Sequence, residues 1–165
     1  MAENFSFDVV SEFDRQELVN SLDQVKREIS QRYDLKGTDT DLELDKENIL
    51  ITTNSELTLN AVNDIIRQKA IKRKLSLKIF EYGAMENVSG NKVKQTISLK
   101  QGISQEIAKK ISKNIRDQFK KINVSINGEI LRVTSKSKND LQLAIKSLNE
   151  LEESFNIPLK ANNFR

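Results

Sequence analysis

The 165-residue chain is 37% hydrophobic and carries 27 Lys+Arg against 24 Asp+Glu, with no cysteine and no histidine, enough for one ordinary domain or two small ones. The two absences exclude disulfide frameworks, thiolate nucleophiles, Cys or His zinc centres and the commonest general base. There is no run of about 18 apolar residues for a membrane span, and a start holding Glu3, Asp8, Glu12 and Asp14 is the opposite of a basic signal peptide, so a soluble, cytoplasmic protein is predicted.

FSFDVV alternates Phe5, Phe7 and Val9 on one face and reads as a strand. From Arg15 onward Leu18, Leu22, Val25, Ile29 and Tyr33 recur at helical steps, with Asp14 as N-cap and a stop near Gly37. DLEL and NILITT are short strands about the polar turn Asp45-Lys46-Glu47-Asn48, Ser55 caps a second helix to about Arg73, and LSLKIF is a fourth strand. A Gly/Asn/Ser-rich connector, EYGAMENVSGN, follows. The order then begins again: KQTISLK strand, helix 104–120, INVSI strand, Asn127-Gly128 turn, EILRVT strand, helix 138–151, and IPLKANNF, with the single proline, as an edge strand. ILITT…SELTLNAV also resembles ILRVT…KNDLQLAI in letters. The reading is therefore an α+β fold, a duplicated βαββαβ ferredoxin-like unit with antiparallel sheets, over residues 1–84 and 91–165.

Charge is segregated along the chain. Residues 1–60 hold 6 Lys+Arg and 14 Asp+Glu, whereas residues 92–121 hold nine cations and two acids; such a field attracts phosphates or acidic partners. With Ile107 at zero on a helical wheel, Ala108, Ile111, Ile115, Phe119 and Ile122 lie between 0° and about 120°, while Lys109, Lys113, Arg116 and Lys120 lie between about 180° and 240°. The basic stripe thus points away from the core, either as a plain solvated face or as an anion-binding one. Four cations at that spacing repel one another by a few tenths of a kcal/mol per pair. Just before this helix, Gly102 permits a positive φ or a close backbone approach, Ser104 can cap, and first-turn amides with Lys100 upstream could hold a phosphate. A strand-Gly-helix turn is common, so on motif alone the structural reading competes.

Phe5 and Phe7 are better read as core than as a stacking platform, because NILITT, KQTISLK and EILRVT carry no aromatics for bases to stack on. No GxxxxGK[ST], GxGxxG or calcium loop is present, and serines and threonines lack a histidine to activate them. Asp8, Glu12 and Asp14 read as capping and dipole compensation, and RQKAIKRK (67–74) as a helix C-terminus. No enzyme activity, cofactor or metal is expected.

At FDVVSEFD, RYDLKG (32–37), KQGISQEIAKKISK, INVSINGEILRVTSKSKNDLQ and the terminal NFR, the chain resembles the YajQ family of bacterial nucleotide-binding proteins over nearly its whole length. The resemblance implies two tandem RNP-like domains with first strands exchanged, so that residues 5–10 complete the sheet of the second half. It implies binding of nucleotides, of the GTP or cyclic di-GMP class, or of RNA, with no established enzyme activity. Only the KQG turn and its basic helix carry over, onto Lys100, Gln101, Gly102, Lys109, Lys110 and Lys113. Tyr33 stands where relatives often have Trp, and Ser135 where they usually have Gly. The expected site is thus Lys100, Gln101, Gly102, Ser104, Lys109, Lys110, Lys113 and Arg116, with Arg32 and Lys36 adding to it; an RNA-binding or protein-interaction adaptor using the same face is the alternative.

Overall fold

A computed structural model describes residues 4–165. Among the described residues, nine strands and four α-helices follow one another as β1 (Phe5–Val10), α1 (Arg15–Gln31), β2 (Asp41–Leu44), β3 (Asn48–Thr53), α2 (Glu56–Lys72), β4 (Phe80–Tyr82), β5 (Glu86–Val88), β6 (Lys92–Leu99), α3 (Gln105–Gln118), β7 (Asn123–Asn127), β8 (Ile130–Ser135), α4 (Lys138–Phe155) and β9 (Lys160–Asn162). They form two compact units, residues 13–100 and residues 4–12 with 101–165.

In the unit of residues 13–100 the antiparallel sheet has the order β2-β3-β6-β4, with β5 also on β6. Ile49, Ile51, Val93 and Ile97 alternate onto the face that α1 and α2 cover with Leu18, Leu22, Val25, Leu59, Val62 and Ile66. In the other unit the order is β7-β8-β1-β9, and Phe7, Val9, Leu131 and Val133 pack against Ile111 and Ile115 of α3 and Ala144 and Leu148 of α4. Each sheet has the ferredoxin-like order, with β6 between β3 and β4 in one and β1 between β8 and β9 in the other. Residues 92–99, grouped by chain order with 91–165, pair with β3 through Ile49↔Ile97 and Ile51↔Gln95. Residues 5–10 pair with β8 through Phe7↔Val133 and Val9↔Leu131. The compact units therefore differ from the spans 1–84 and 91–165, because strand pairing crosses the connector.

Four local expectations are corrected. Helix α1 ends at Gln31, because Arg32 turns extended (φ −71, ψ 129) and its guanidinium forks onto Asp34 at 3.0 and 2.8 Å, so Tyr33 leaves the core stripe and is 96% exposed. LSLKIF is a strand only from Phe80; Ser76 instead caps a 3-10 turn over Leu77–Ile79, accepting the Lys78 N–H at 3.2 Å. Part of the connector, β5, adds to β6, and α4 runs past Leu151 to Phe155, closing on Asn156 in a left-handed conformation (φ 51).

Phe7 is fully buried and Phe5 packs at the margin of the same core. On the sheet face away from the helices, the central strands β1 and β8 instead present Ser6, Asp8, Arg132 and Thr134. Asp8 is buried there, accepting from Arg132 Nε at 3.1 Å and Asn163 Nδ2 at 2.9 Å. Burial opposes its charge, but those two hydrogen bonds and the charges of Arg132 and Arg165 hold its carboxyl below the ordinary range.

Candidate functional site

The KQG turn does not form the expected cradle. Gly102 does adopt a positive φ of 83, but its N–H donates to the Ser11 carbonyl at 2.7 Å and the Ile103 N–H to the Glu129 carbonyl at 3.1 Å. Ile103 is buried, and a Cβ on Gly102 would lie 2.7 Å from Glu129 Oε2. Two of the supposed amide donors are thus engaged by chain, and a carboxylate occupies the approach where a phosphate would need positive potential. Gln101 is exposed beside this turn, and Ser104 works as an N-cap, its Oγ accepting from Ile107 N–H at 3.3 Å.

The stripe on α3 is arranged as its periodicity predicts. Ala108, Ile111, Ser112 and Ile115 are buried, while Lys109, Lys110, Lys113 and Arg116 are exposed. Lys110 pairs within the helix with Glu106 at 3.5 Å and Arg116 Nε donates to the Ser112 carbonyl at 3.3 Å; Lys109 and Lys113 have no carboxylate partner among the described residues.

The remaining three candidates belong to the unit of residues 13–100. Arg32 is held by Asp34 and, at 3.4 Å, by Glu28, so its guanidinium is satisfied by carboxylates and is not a phosphate ligand in this state. Lys100 is half-buried and its N–H donates to the Ile79 carbonyl at 2.7 Å. Lys36 is exposed on the wall of a cavity of about 550 Å³ between the end of α1 and the start of β2. The RQKAIKRK segment is structural: Arg67 pairs with Asp64 and lies over the Tyr82 ring, Lys69 pairs with Glu28 and Arg73 with Glu17.

The sequence reading missed a cavity of about 540 Å³ lined by Asn4, Lys121, Asn123, Thr134, Ser135, Lys136 and Ser137. Lys121 lies in the turn that carries α3 into β7, and Lys136 in the turn that carries β8 into α4. Ser135 fixes both turns, its hydroxyl donating to the Lys121 carbonyl at 3.1 Å and accepting the Ser137 N–H at 3.0 Å. The cavity therefore presents two ammonium groups, amide and hydroxyl side chains and the start of α4, with no acid among its lining residues, an arrangement that suits a phosphorylated ligand. Lys121 closes the basic run of residues 92–121 and Lys136 lies within INVSINGEILRVTSKSKNDLQ, the two sequence signals that could have found them.

A family profile described as "Nucleotide-binding protein YajQ-like" matches residues 5–165. The chain belongs to the YajQ-like family. Among its relatives, proteins of Prochlorococcus marinus strains AS9601 and MIT 9312 are 86% and 85% identical over 165 residues, the whole of each chain. One of strain MIT 9211 is 57% identical over the same length. All three are named nucleotide-binding proteins.

In this YajQ-like chain, Gly102→Ala separates a backbone role for the glycine from a ligand role. Forcing alanine to φ 83 is expected to lower stability by about 1–2 kcal/mol, since the exposed Glu129 side chain can swing aside. Denaturant unfolding should register that loss while calorimetric nucleotide affinity stays the same; a selective loss of affinity would restore the cradle.

Proposed function

We propose that the chain binds a nucleotide or dinucleotide of the GTP or cyclic di-GMP class in the cavity at Lys121 and Lys136. The α3 cations Lys109, Lys113 and Arg116 supply the approach field. The observation that carries this reading is the cavity's lining, two lysines and no carboxylate around about 540 Å³, within the ordinary range for small-ligand sites. The relatives are named nucleotide-binding proteins, which agrees with a nucleotide as ligand. Among the described residues the one deeply buried acid, Asp8, is held by Arg132 and Asn163, which favours binding over turnover.

Each charge-assisted hydrogen bond contributes about 1.5–3 kcal/mol. Lys121→Glu/Lys136→Glu should therefore weaken calorimetric affinity for GTP or cyclic di-GMP by at least about tenfold. Lys109→Glu/Lys113→Glu should mainly slow association and flatten its salt dependence. Unchanged affinity in the Lys121/Lys136 variant would remove the site.

The exposed cations running the length of α3 also favour a second reading, an extended polyanion such as RNA laid along the helix. Salt decides between them. A strand neutralising six phosphates should lose affinity with a log-log slope of about −4, whereas a mononucleotide should show a much shallower slope.

A further inference from the structure

In the unit of residues 4–12 and 101–165 the sheet ends on β7, which among the described residues pairs with β8 alone. The turn between them is two residues long, so Asn127 and Ile130 exchange backbone hydrogen bonds, and Ser125 with Arg132 and Asn123 with Thr134 do the same. The N–H and C=O groups of Val124 and Ile126 therefore point the other way, along an open edge. Strand edges are normally guarded by charge, by proline or by brevity. β2 carries Asp41 and Glu43, and β4, β5 and β9 have three residues each. β7, with the sequence NVSIN, has five residues and no charge, and its valine and isoleucine are only half-buried.

What flanks this edge selects its occupant. Helix α3 packs over β7, while α4 lies over β8, β1 and β9. On the α3 wheel Gln105 stands at about 160°, and its side-chain amide donates to the Gly128 carbonyl, just past the end of β7, at 3.3 Å. The adjoining arc of about 180–240°, with Lys109, Lys113, Arg116 and Lys120, thus overhangs the open edge, whereas Ile107 on the opposite flank is partly buried against the core. All four cations are exposed, and Lys109 and Lys113 have no carboxylate partner among the described residues. A second copy pairing β7 with β7 about a two-fold axis would set the two basic stripes face to face, like charge against like. A chain with carboxylates neutralises the stripe instead.

We propose that β7 is a docking edge for an extended acidic segment of a partner protein, which adds as a further strand and turns alternate Asp or Glu side chains toward Lys109, Lys113, Arg116 and Lys120. The free N–H and C=O groups of Val124 and Ile126 supply the main-chain bonds, and the charges on α3 supply the selection. A nucleic acid neutralises the same cations but has no peptide ladder to offer the edge. On the other face of the added strand its side chains meet Asn123, Ser125 and Asn127, which are exposed and polar, so small polar residues suit the intervening positions. The docking edge does not rest on the nucleotide reading of the cavity at Lys121 and Lys136.

The test uses the full chain and a fluorescent peptide of about eight residues, within the length of an ordinary strand, alternating glutamate with threonine. Anisotropy should show saturable binding, weakened at least about tenfold by N-methylating one alternate set of peptide amides and not by methylating the other. In NMR, saturating peptide should slow hydrogen exchange of the Val124 and Ile126 amides at least about tenfold and leave Ser125, already bonded to Arg132, as it was. Ile126→Pro removes an edge donor without touching the β8 ladder; it and Lys109→Glu/Arg116→Glu should each lower affinity at least about tenfold, and the charge-reversed variant keeps the test if the proline variant does not fold. No binding, indifference to both methylated sets or unprotected Val124 and Ile126 amides overturns the docking edge. Equal affinity for a glutamine-for-glutamate peptide overturns its acidic selection. Protection of the same two amides by single-stranded RNA overturns the choice of a protein partner, and so does a dimer in sedimentation that Ile126→Pro abolishes. Failure here is distinct from failure at Lys121 and Lys136, since the peptide carries neither base nor phosphate.

Discussion

Phe7→Ala is expected to cost about 3–5 kcal/mol, the range for removing a buried aromatic ring, and to cost it in residues 101–165 rather than in the sequence that follows Phe7. The ring is fully buried, opposite Val133 on β8 and 6.2 Å from the Phe164 ring. Its cavity would open among Ile111, Ile115, Leu131 and Leu148. Hydrogen exchange followed by peptide should show protection falling in β8, α3 and α4 while β3 and β6 keep theirs. Loss confined to β2 and β3 would mean that β1 belongs to the other sheet. Because one mutation reports on a unit assembled from both ends of the chain, the experiment tests topology as well as stability.

The second large effect is at Asp8. Asp8→Asn leaves the Arg132 guanidinium without its counter-charge. Removing one member of a buried pair costs about 3–5 kcal/mol, and because Arg132 keeps 35% side-chain exposure the expected loss is nearer 2–3 kcal/mol, after solvent screening. The pH dependence has a fixed sign. The folded carboxyl titrates below its unfolded value, so the native state binds fewer protons, and the stabilisation is complete above the ordinary carboxylate range. It is lost as pH falls through the lowered folded value. Wild type should therefore lose more stability than Asp8→Asn on acidification from about pH 5 downward. Parallel thermal-unfolding curves for the two proteins across that window would show that Asp8 is not the group responsible.

Local chemistry made much of the fold legible. Asp14, Ser55 and Ser104 cap the helices that their spacing announces, and the α3 wheel separates Ile111 and Ile115 from Lys109 and Lys113 as the structure does. What stayed hidden is non-local. The alternation in KQTISLK requires a half-buried strand but says nothing about its partner, and it satisfies β3 as well as it would have satisfied β8. At Gly102 the φ was foreseeable, whereas the acceptors that take its amide and that of Ile103, Ser11 and Glu129, are distant in sequence. Tyr33 fitted the helical period of α1 and was displaced by the ion pair of its two neighbours, Arg32 and Asp34, a competition that spacing cannot weigh. Lys121 and Lys136 meet only because the β7–β8 hairpin returns the chain to its own start.

The exchange of strands sets a timetable for synthesis. Residues 13–100 are contiguous and can collapse as they leave the ribosome, but β1 emerges first and must wait for β8 before it has a neighbour. At roughly 5–20 residues per second, the interval from Val9 to Leu131 leaves an apolar edge unsheltered for roughly ten seconds on every nascent chain, the period in which holdase chaperones would be of most use to it.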